Sequence, residues 1–190
     1  MGPSNQRILG LDPGLSATGY ALIDATNPGA GPLAIGDVRT RARDPLGVRL
    51  QAIHDALAAV VGRHRPAMVV VEALFTRINV KTVLLMAQAR GVAILAATAH
   101  GASLHEYAPA EIKRLITGSG RAGKAQVMAM VSAQVKLPRG DLSDHATDAL
   151  AAALCHCRHL ALERAGGSVK QPARRKTRRQ QWQDFVDRRR

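Results

Sequence analysis

Three carboxylates, Asp12, Glu72 and Asp148, and one imidazole, His145, have the types and spacing to do chemistry together. Asp12 closes the apolar run Ile8-Leu-Gly-Leu11, and Glu72 closes Met68-Val-Val-Val71. Each therefore reads as a carboxylate at the mouth of a core strand, a costly placement unless the charge is paired or bound to a cation. His145 and Asp148 are three residues apart in Leu142-Ser-Asp-His-Ala-Thr-Asp-Ala-Leu-Ala151, so on a helix they share a face. Plainer readings exist for each: Asp12 before Pro13-Gly14 is a common turn former, and His145 suits an idle first-turn position. Asp144 shares the face of Asp148 but also suits the helix N-terminus, where Asp caps free amides. As a set they are harder to dismiss, because two like charges 4 Å apart repel by about 4 kcal/mol at an effective dielectric near 20. A divalent cation removes that cost. Oxygen ligands with one imidazole suit Mg²⁺ or Mn²⁺, the imidazole favouring Mn²⁺, whereas zinc would be expected to draw in a cysteine or a second histidine. Such a site fits metal-assisted phosphodiester hydrolysis, with ions activating water and stabilising the leaving oxygen.

Charge points to the same substrate class. The 190 residues carry a formal net charge of +13, of which residues 165–190 hold +7. An excess that persists in the globular part favours a polyanionic partner, with nucleic acid foremost. The hydrophobic fraction of 46% suits one domain with a sizeable core. The chain has no apolar run long enough for a membrane span and no signal-peptide pattern at Met1-Gly-Pro-Ser-Asn-Gln-Arg7. With only Cys155 and Cys157 there is no disulfide framework, and a reducing cytoplasm is the simplest location. The expected organisation is a nuclease-like domain over 1–164 and a basic, disordered tail over 165–190, in which Arg174-Arg-Lys-Thr-Arg-Arg179 and Trp182 resemble a nucleic-acid-binding arm.

The elements that would position the four residues follow from periodicity. Arg7–Asp12 and Thr18–Asp24 read as a hairpin, with a third strand over Pro32–Arg39. Leu46, Leu50, Ile53, Leu57 and Val60 mark a helix that ends before Pro66, with Asp44 expected as its N-cap and Pro45 as its first residue. The β-branched run Ala67–Glu72 implies a strand covered on both faces. Asn79–Thr98 is apolar nearly all round, so that helix is either interior or covered by a partner copy. Ser103–Tyr107 reads as a fifth strand, followed by helices over 109–117, 124–136 and 144–164. The result is an α/β fold whose sheet has mixed pairing.

Five stretches together resemble a known family: Ile-Leu-Gly-Leu-Asp-Pro-Gly-Leu-Ser-Ala-Thr-Gly-Tyr (8–20), Val-Glu-Ala-Leu-Phe (71–75), Ala-Gln-Ala-Arg-Gly-Val-Ala (87–93), Tyr-Ala-Pro-Ala-Glu-Ile-Lys (107–113) and Asp-Ala-Leu-Ala (148–151). Over about residues 7–160 they resemble the RuvC family of bacterial Holliday junction resolvases. The resemblance implies an RNase H-like fold, a five-stranded mixed sheet flanked by helices. It also implies a homodimer, metal-dependent symmetric nicking of four-way DNA junctions by two Mg²⁺ or Mn²⁺ ions, and partnership with the branch-migration motor RuvA-RuvB. Its carboxylates map onto Asp12, Glu72 and Asp148. The position three before Asp148, often aspartate in the family, is His145 here, which leaves open metal ligation or proton transfer. Helix 79–98 falls where the family dimerises. Phe75 has a plainer reading as a cap on the core beside Leu74, but it matches a family position that favours stacking on an unpaired base. Arg77, Asn79 and Lys81 follow it as backbone contacts or plain surface residues. Lys113 and Lys124 match basic positions used for DNA.

Two motifs mislead. Gly118-Ser-Gly-Arg-Ala-Gly-Lys-Ala125 fits a phosphate-binding loop except that Ala125 lacks the required hydroxyl, and a helix rather than a strand precedes it. Its Arg121 and Lys124, near a helix N-terminus, still suit a DNA phosphate. Cys155 and His159 share a helix face, but two ligands do not make a zinc site, and the expectation is a buried thiol with surface histidines. Two rival functions remain. An actin-like ATPase would need a second domain, and a non-enzymatic junction binder would not need carboxylates at two strand ends.

Overall fold

The computed structural model describes residues 6–73, 80–138 and 140–166, the Lys81 side chain excepted. The chain divides into two compact units, Met1–His159 and Leu160–Arg190, and the first contains the sheet. Five strands, β1 (Arg7–Asp12), β2 (Ala17–Asp24), β3 (Ala34–Arg39), β4 (Met68–Glu72) and β5 (Ser103–Tyr107), form one sheet in the order β3-β2-β1-β4-β5. β1 pairs antiparallel with β2 and parallel with β4; β2–β3 is antiparallel and β4–β5 parallel. This is the five-stranded mixed sheet of the RNase H-like fold, flanked by helices α1 (Leu46–His64), α2 (Val80–Thr98), α3 (Pro109–Thr117), α4 (Lys124–Gln134) and α5 (Asp144–Arg164).

Side-chain alternation along the strands decides what each face holds. Leu9, Leu11, Leu22, Val69 and Val71 point to one face and pack with Ile53, Leu57 and Val61 of α1 and with Ala89, Ala93, Ala96 and Ala97 of α2. Ile8, Gly10, Ile23 and Val70 have the opposite parity and lie on the face covered by α5. Asp12 and Glu72 continue that second series, so both carboxylates emerge on the side of α5.

Two glycines let α5 sit flush on the strands. A β-carbon on Gly10 would meet the Ala149 carbonyl, and one on Gly19 would meet that of His145. Gly10 and Gly19 lie in paired strands, so the first turns of α5 rest directly on the β1–β2 ladder.

Several boundaries differ from the sequence reading. Pro45, not Asp44, occupies the N-cap of α1, and no side chain caps that helix; the expected Asp44 cap is not formed. Arg65 closes α1 in the left-handed region at φ 44°, donating its amide to Val61, since the proline that follows disfavours continued helix. β3 begins at Ala34 because Pro32 has no amide to give the ladder. α4 ends at Gln134, where Lys136 turns its amide to Gly29 instead of prolonging the helix.

Candidate active site

The ends of β1 and β4 and the start of α5 converge on one edge of the sheet. Asp12 accepts a hydrogen bond from His145, with Nδ1 2.6 Å from Oδ2. A carboxylate can only accept, so Nδ1 carries the proton and Nε2 is turned away from Asp12. Ser143 anchors the helix start: its hydroxyl accepts from the Ala146 amide at 3.1 Å and its carbonyl from Thr147 at 3.0 Å. Asp144 is therefore not the cap. It pairs instead with Lys124, whose Nζ lies 2.9 Å from Asp144 and 3.4 Å from Asp148.

Electrostatics link the three carboxylates. Burial, reinforced by the charges of Asp12 and Asp148, pushes the Glu72 carboxyl above the usual range, against the pull of Lys113 and Arg90. Asp148 is likewise raised by burial; Lys124 opposes the shift, while Asp12 and Asp144 add to it. Two acids that each feel Asp12 and resist ionising form a donor set short of positive charge. Among the described residues no three His, Cys, Asp or Glu side chains are close enough to share an ion. Asp12 pairs with His145 and Asp148 with Lys124. The donor chemistry nonetheless fits a hard divalent ion, which Asp12, Glu72, Asp148 and His145 would hold.

Beside the carboxylates, Glu72, Pro109, Ile112, Lys113, Lys124, Val127, Asp148 and Ala151 line a cleft of about 250 Å³. Lys113 and Lys124 thus face the same space as two of the acids. Arg121 is exposed on the α3–α4 connection. The glycine-rich decoy divides between two helix ends, Gly118 closing α3 at φ 82° and Gly123 preceding α4. Phe75, Arg77 and Asn79 lie outside the described residues, as does the side chain of Lys81.

Arg90 was not singled out from the sequence. It is buried on α2, donates to the Glu72 carbonyl at 2.6 Å and meets Glu106 at 2.9 Å, tying the end of β4 to β5. The signal was a charged residue in an otherwise apolar helix. Gly10 and Gly19 were missed as positioning residues too, although glycine inside a strand marks a close backbone approach.

The expectation of surface histidines on α5 is corrected. His156 is 1% exposed and His159 is buried as well. His105 and Tyr107 of β5 have the parity of Val70 and Glu72 and so meet α5. The rings of His105 and His156 lie 4.0 Å apart, and the Tyr107 hydroxyl and His156 Nδ1 share a hydrogen bond of 2.7 Å.

A family model described as crossover junction endodeoxyribonuclease RuvC matches residues 8–156. Proteins of that name from Pelotomaculum thermopropionicum and Heliobacterium modesticaldum are 40% and 45% identical to this chain, covering 83% and 80% of it and 96% and 93% of themselves. A solved structure of Thermus thermophilus RuvC in complex with a Holliday junction substrate superposes with a TM-score of 0.75 at 28% identity, over 83% of this chain and 96% of that one. The yeast mitochondrial resolvase Ydc2, at 10% identity and a TM-score of 0.62, shares the fold. The chain belongs to the RuvC family of crossover junction endodeoxyribonucleases.

Proposed function

We propose that this endonuclease resolves four-way DNA junctions by paired symmetric nicks, and that its catalytic residues are Asp12, Glu72, His145 and Asp148. The observation that carries the assignment is the convergence of the ends of β1 and β4 with the start of α5, where His145 lies 2.6 Å from Asp12 and Glu72 and Asp148 line one cleft; burial and the charge of Asp12 push both of those carboxyls up. Family membership implies dependence on a divalent metal; the finer reading is two ions per site, Mg²⁺ or Mn²⁺. Bound there, they supply activation of the attacking water and stabilisation of the departing 3′ oxygen. The chain's own residues do the rest. Gly10 and Gly19 bring α5 close enough for His145 to fix Asp12. Arg90 holds the end of β4. Lys124 pairs with Asp144 and Asp148 and, with Lys113, lines the cleft where a phosphate would lie, while Arg121 is exposed on the α3–α4 connection. His145, oriented through Nδ1, presents Nε2 as a ligand or a proton acceptor.

Two symmetric cuts need two sites, which a twofold dimer provides. The outer stripe of α2 supports that partner: Val80, Leu84 and Leu95 are 73%, 59% and 66% exposed and line up at helical spacing. Phe75 is assigned to stacking on an unpaired base, with Arg77, Asn79 and Lys81 on the backbone. Residues 1–164 would form the nuclease and the basic residues 165–190 an added DNA-binding arm. A cytoplasmic location and cooperation with RuvA-RuvB complete the proposal; no described helix is long and apolar enough to cross a membrane.

The test is Mn²⁺-dependent nicking of a synthetic four-way junction. The chain should place one nick on each of two opposed strands. Asp12→Asn should bind the junction while losing on the order of 10³-fold in cleavage rate. Full activity in that variant would sink the assignment.

A further inference from the structure

We infer that the loop joining β3 to α1 binds backbone phosphates of the strand being cut, with Arg41 and Arg43 as the contacts. The inference rests on the junction-cleaving reading and adds a second cationic element, separate from Lys113, Lys124 and Arg121.

Placement comes from the sheet. β3 runs antiparallel to β2, so it ends at the edge where β1 ends. The register pairs Asp12 with Gly19 and Gly19 with Asp37. Asp37 therefore stands level with Asp12, two strand spacings away, which is about 10 Å. Arg41 and Arg43 follow just beyond. The lysines line the cleft on the β4 side of Asp12, whereas these arginines lie on its β2–β3 side, so a strand crossing the edge at Asp12 meets positive charge on both flanks.

The loop is fixed rather than merely near. Thr40 donates its amide to the Ser16 carbonyl at 3.0 Å and its hydroxyl to the Leu15 carbonyl. Arg49 reaches back from α1 to the Thr40 hydroxyl at 2.9 Å and to that of Ser16 at 3.4 Å. The Thr18 hydroxyl closes the same turn on the Gly14 carbonyl at 2.7 Å. The loop is thus tied to the turn that directly follows Asp12.

Charge identifies the ligand. Arg41 and Arg43 are exposed, and among the described residues neither side chain has a hydrogen bond or ion pair. Neighbouring arginines are already used: Arg39 is paired with Asp37 at 2.6 Å and Arg49 is spent on the loop. Two unpaired guanidiniums on a rigid loop beside a phosphodiester-cleaving site suit phosphate oxygens, which their planar fork can take two at a time.

The experiment compares Asp12→Asn with the triple variant Asp12→Asn/Arg41→Gln/Arg43→Gln, both in EDTA, binding a four-way junction between 50 and 200 mM salt. Loss of two phosphate contacts should reduce the slope of log affinity against log salt by about 1.8 and weaken binding roughly tenfold or more. Thermal midpoints should match, because both side chains are exposed. Single methylphosphonates scanned along the cut strand on either side of the cut should include at least one position that weakens the parent and leaves the triple variant unaffected. Equal slopes, or equal methylphosphonate penalties, would overturn the inference while leaving the junction reading intact. A parent that fails to bind the junction would sink both.

Discussion

Helix α5 carries two clusters of titratable side chains roughly three turns apart, and the sheet treats them in opposite ways. At its first turns His145 and Asp148 meet Asp12, Lys124 and a cleft open to solvent. Further along, Cys155 is buried, and His156 and His159 are buried against β5. Both clusters include histidine. What differs is whether charge can be answered. At the first cluster, acids are crowded and a cation from solution can reach them. At the second, burial and the neighbouring His105 and His159 hold His156 down to about 4, so it stays neutral and serves packing and one hydrogen bond to Tyr107. A histidine on a helix acquires chemistry only where the sheet brings it a partner and leaves it water.

The largest expected effects separate these roles directly. Glu72→Gln should lower the cleavage rate on the order of 10³-fold, with junction binding retained and no loss of stability. His156→Ala should do the reverse. It opens a cavity and removes the hydrogen bond between His156 and the Tyr107 hydroxyl, for a loss of about 2–4 kcal/mol by denaturant unfolding, while single-turnover cleavage at low temperature stays within about twofold. If His156→Ala abolished cleavage in folded protein, the division between the clusters would fail.

Much of the first cluster was legible in the sequence, and little of the second. Asp12 and Glu72 announced themselves because carboxylates ended two apolar runs, and strand parity then placed both on one face. His145 and Asp148 shared a helix face by spacing alone. The histidines were misread because nothing in Cys155-His-Cys-Arg-His159 says how α5 lies on the sheet. That depends on Gly10 and Gly19, which allow the approach, and on the parity of His105 and Tyr107 in a strand whose other residues are mostly exposed. Arg90 escaped for the same reason. Its partners are a main-chain carbonyl at the end of β4 and a carboxylate on β5, contacts that spacing within α2 does not encode.

The clusters should also oppose one another in the pH dependence of stability, a smaller effect. Glu72 and Asp148 have raised carboxyls when folded, so above their ordinary values of 4.5 and 3.8 the native state holds protons that the unfolded chain has released. Their contribution to stability is therefore full at low pH and is lost as pH rises through the raised values. His156 is depressed from 6.5 to about 4, so the unfolded chain binds a proton that the native state refuses, and stability is lost as pH falls through that window. In EDTA, Glu72→Gln should remove part of the first trend, making the melting temperature climb more steeply from pH 4 to 7 than in the parent. Millimolar Mg²⁺ should raise the parent's melting temperature at pH 7 more than the variant's. Identical pH profiles for the two proteins would show that Glu72 does not carry the strain assigned to it.

The smallest effect concerns the thiols, and it probes how closed the second cluster is. Cys155 is fully buried, and burial together with Glu111 pushes its thiol up to about 12. At pH 8 that leaves roughly one thiolate in 10⁴, whereas a free cysteine near 8.5 has about a quarter. Cys157 is only partly buried, its sulfur resting 3.8 Å from the Ala25 carbonyl. Iodoacetamide at pH 8 should therefore label at most one site per folded chain, located at Cys157 by peptide mapping, and two sites after denaturation. Labelling should leave junction cleavage unchanged, because Cys157 lies well along α5 from His145 and Asp148. Rapid modification of Cys155 in the folded enzyme would mean that this end of α5 opens to water. In that case the contrast between the clusters would be one of chemistry alone, and burial would not be what keeps the second one silent.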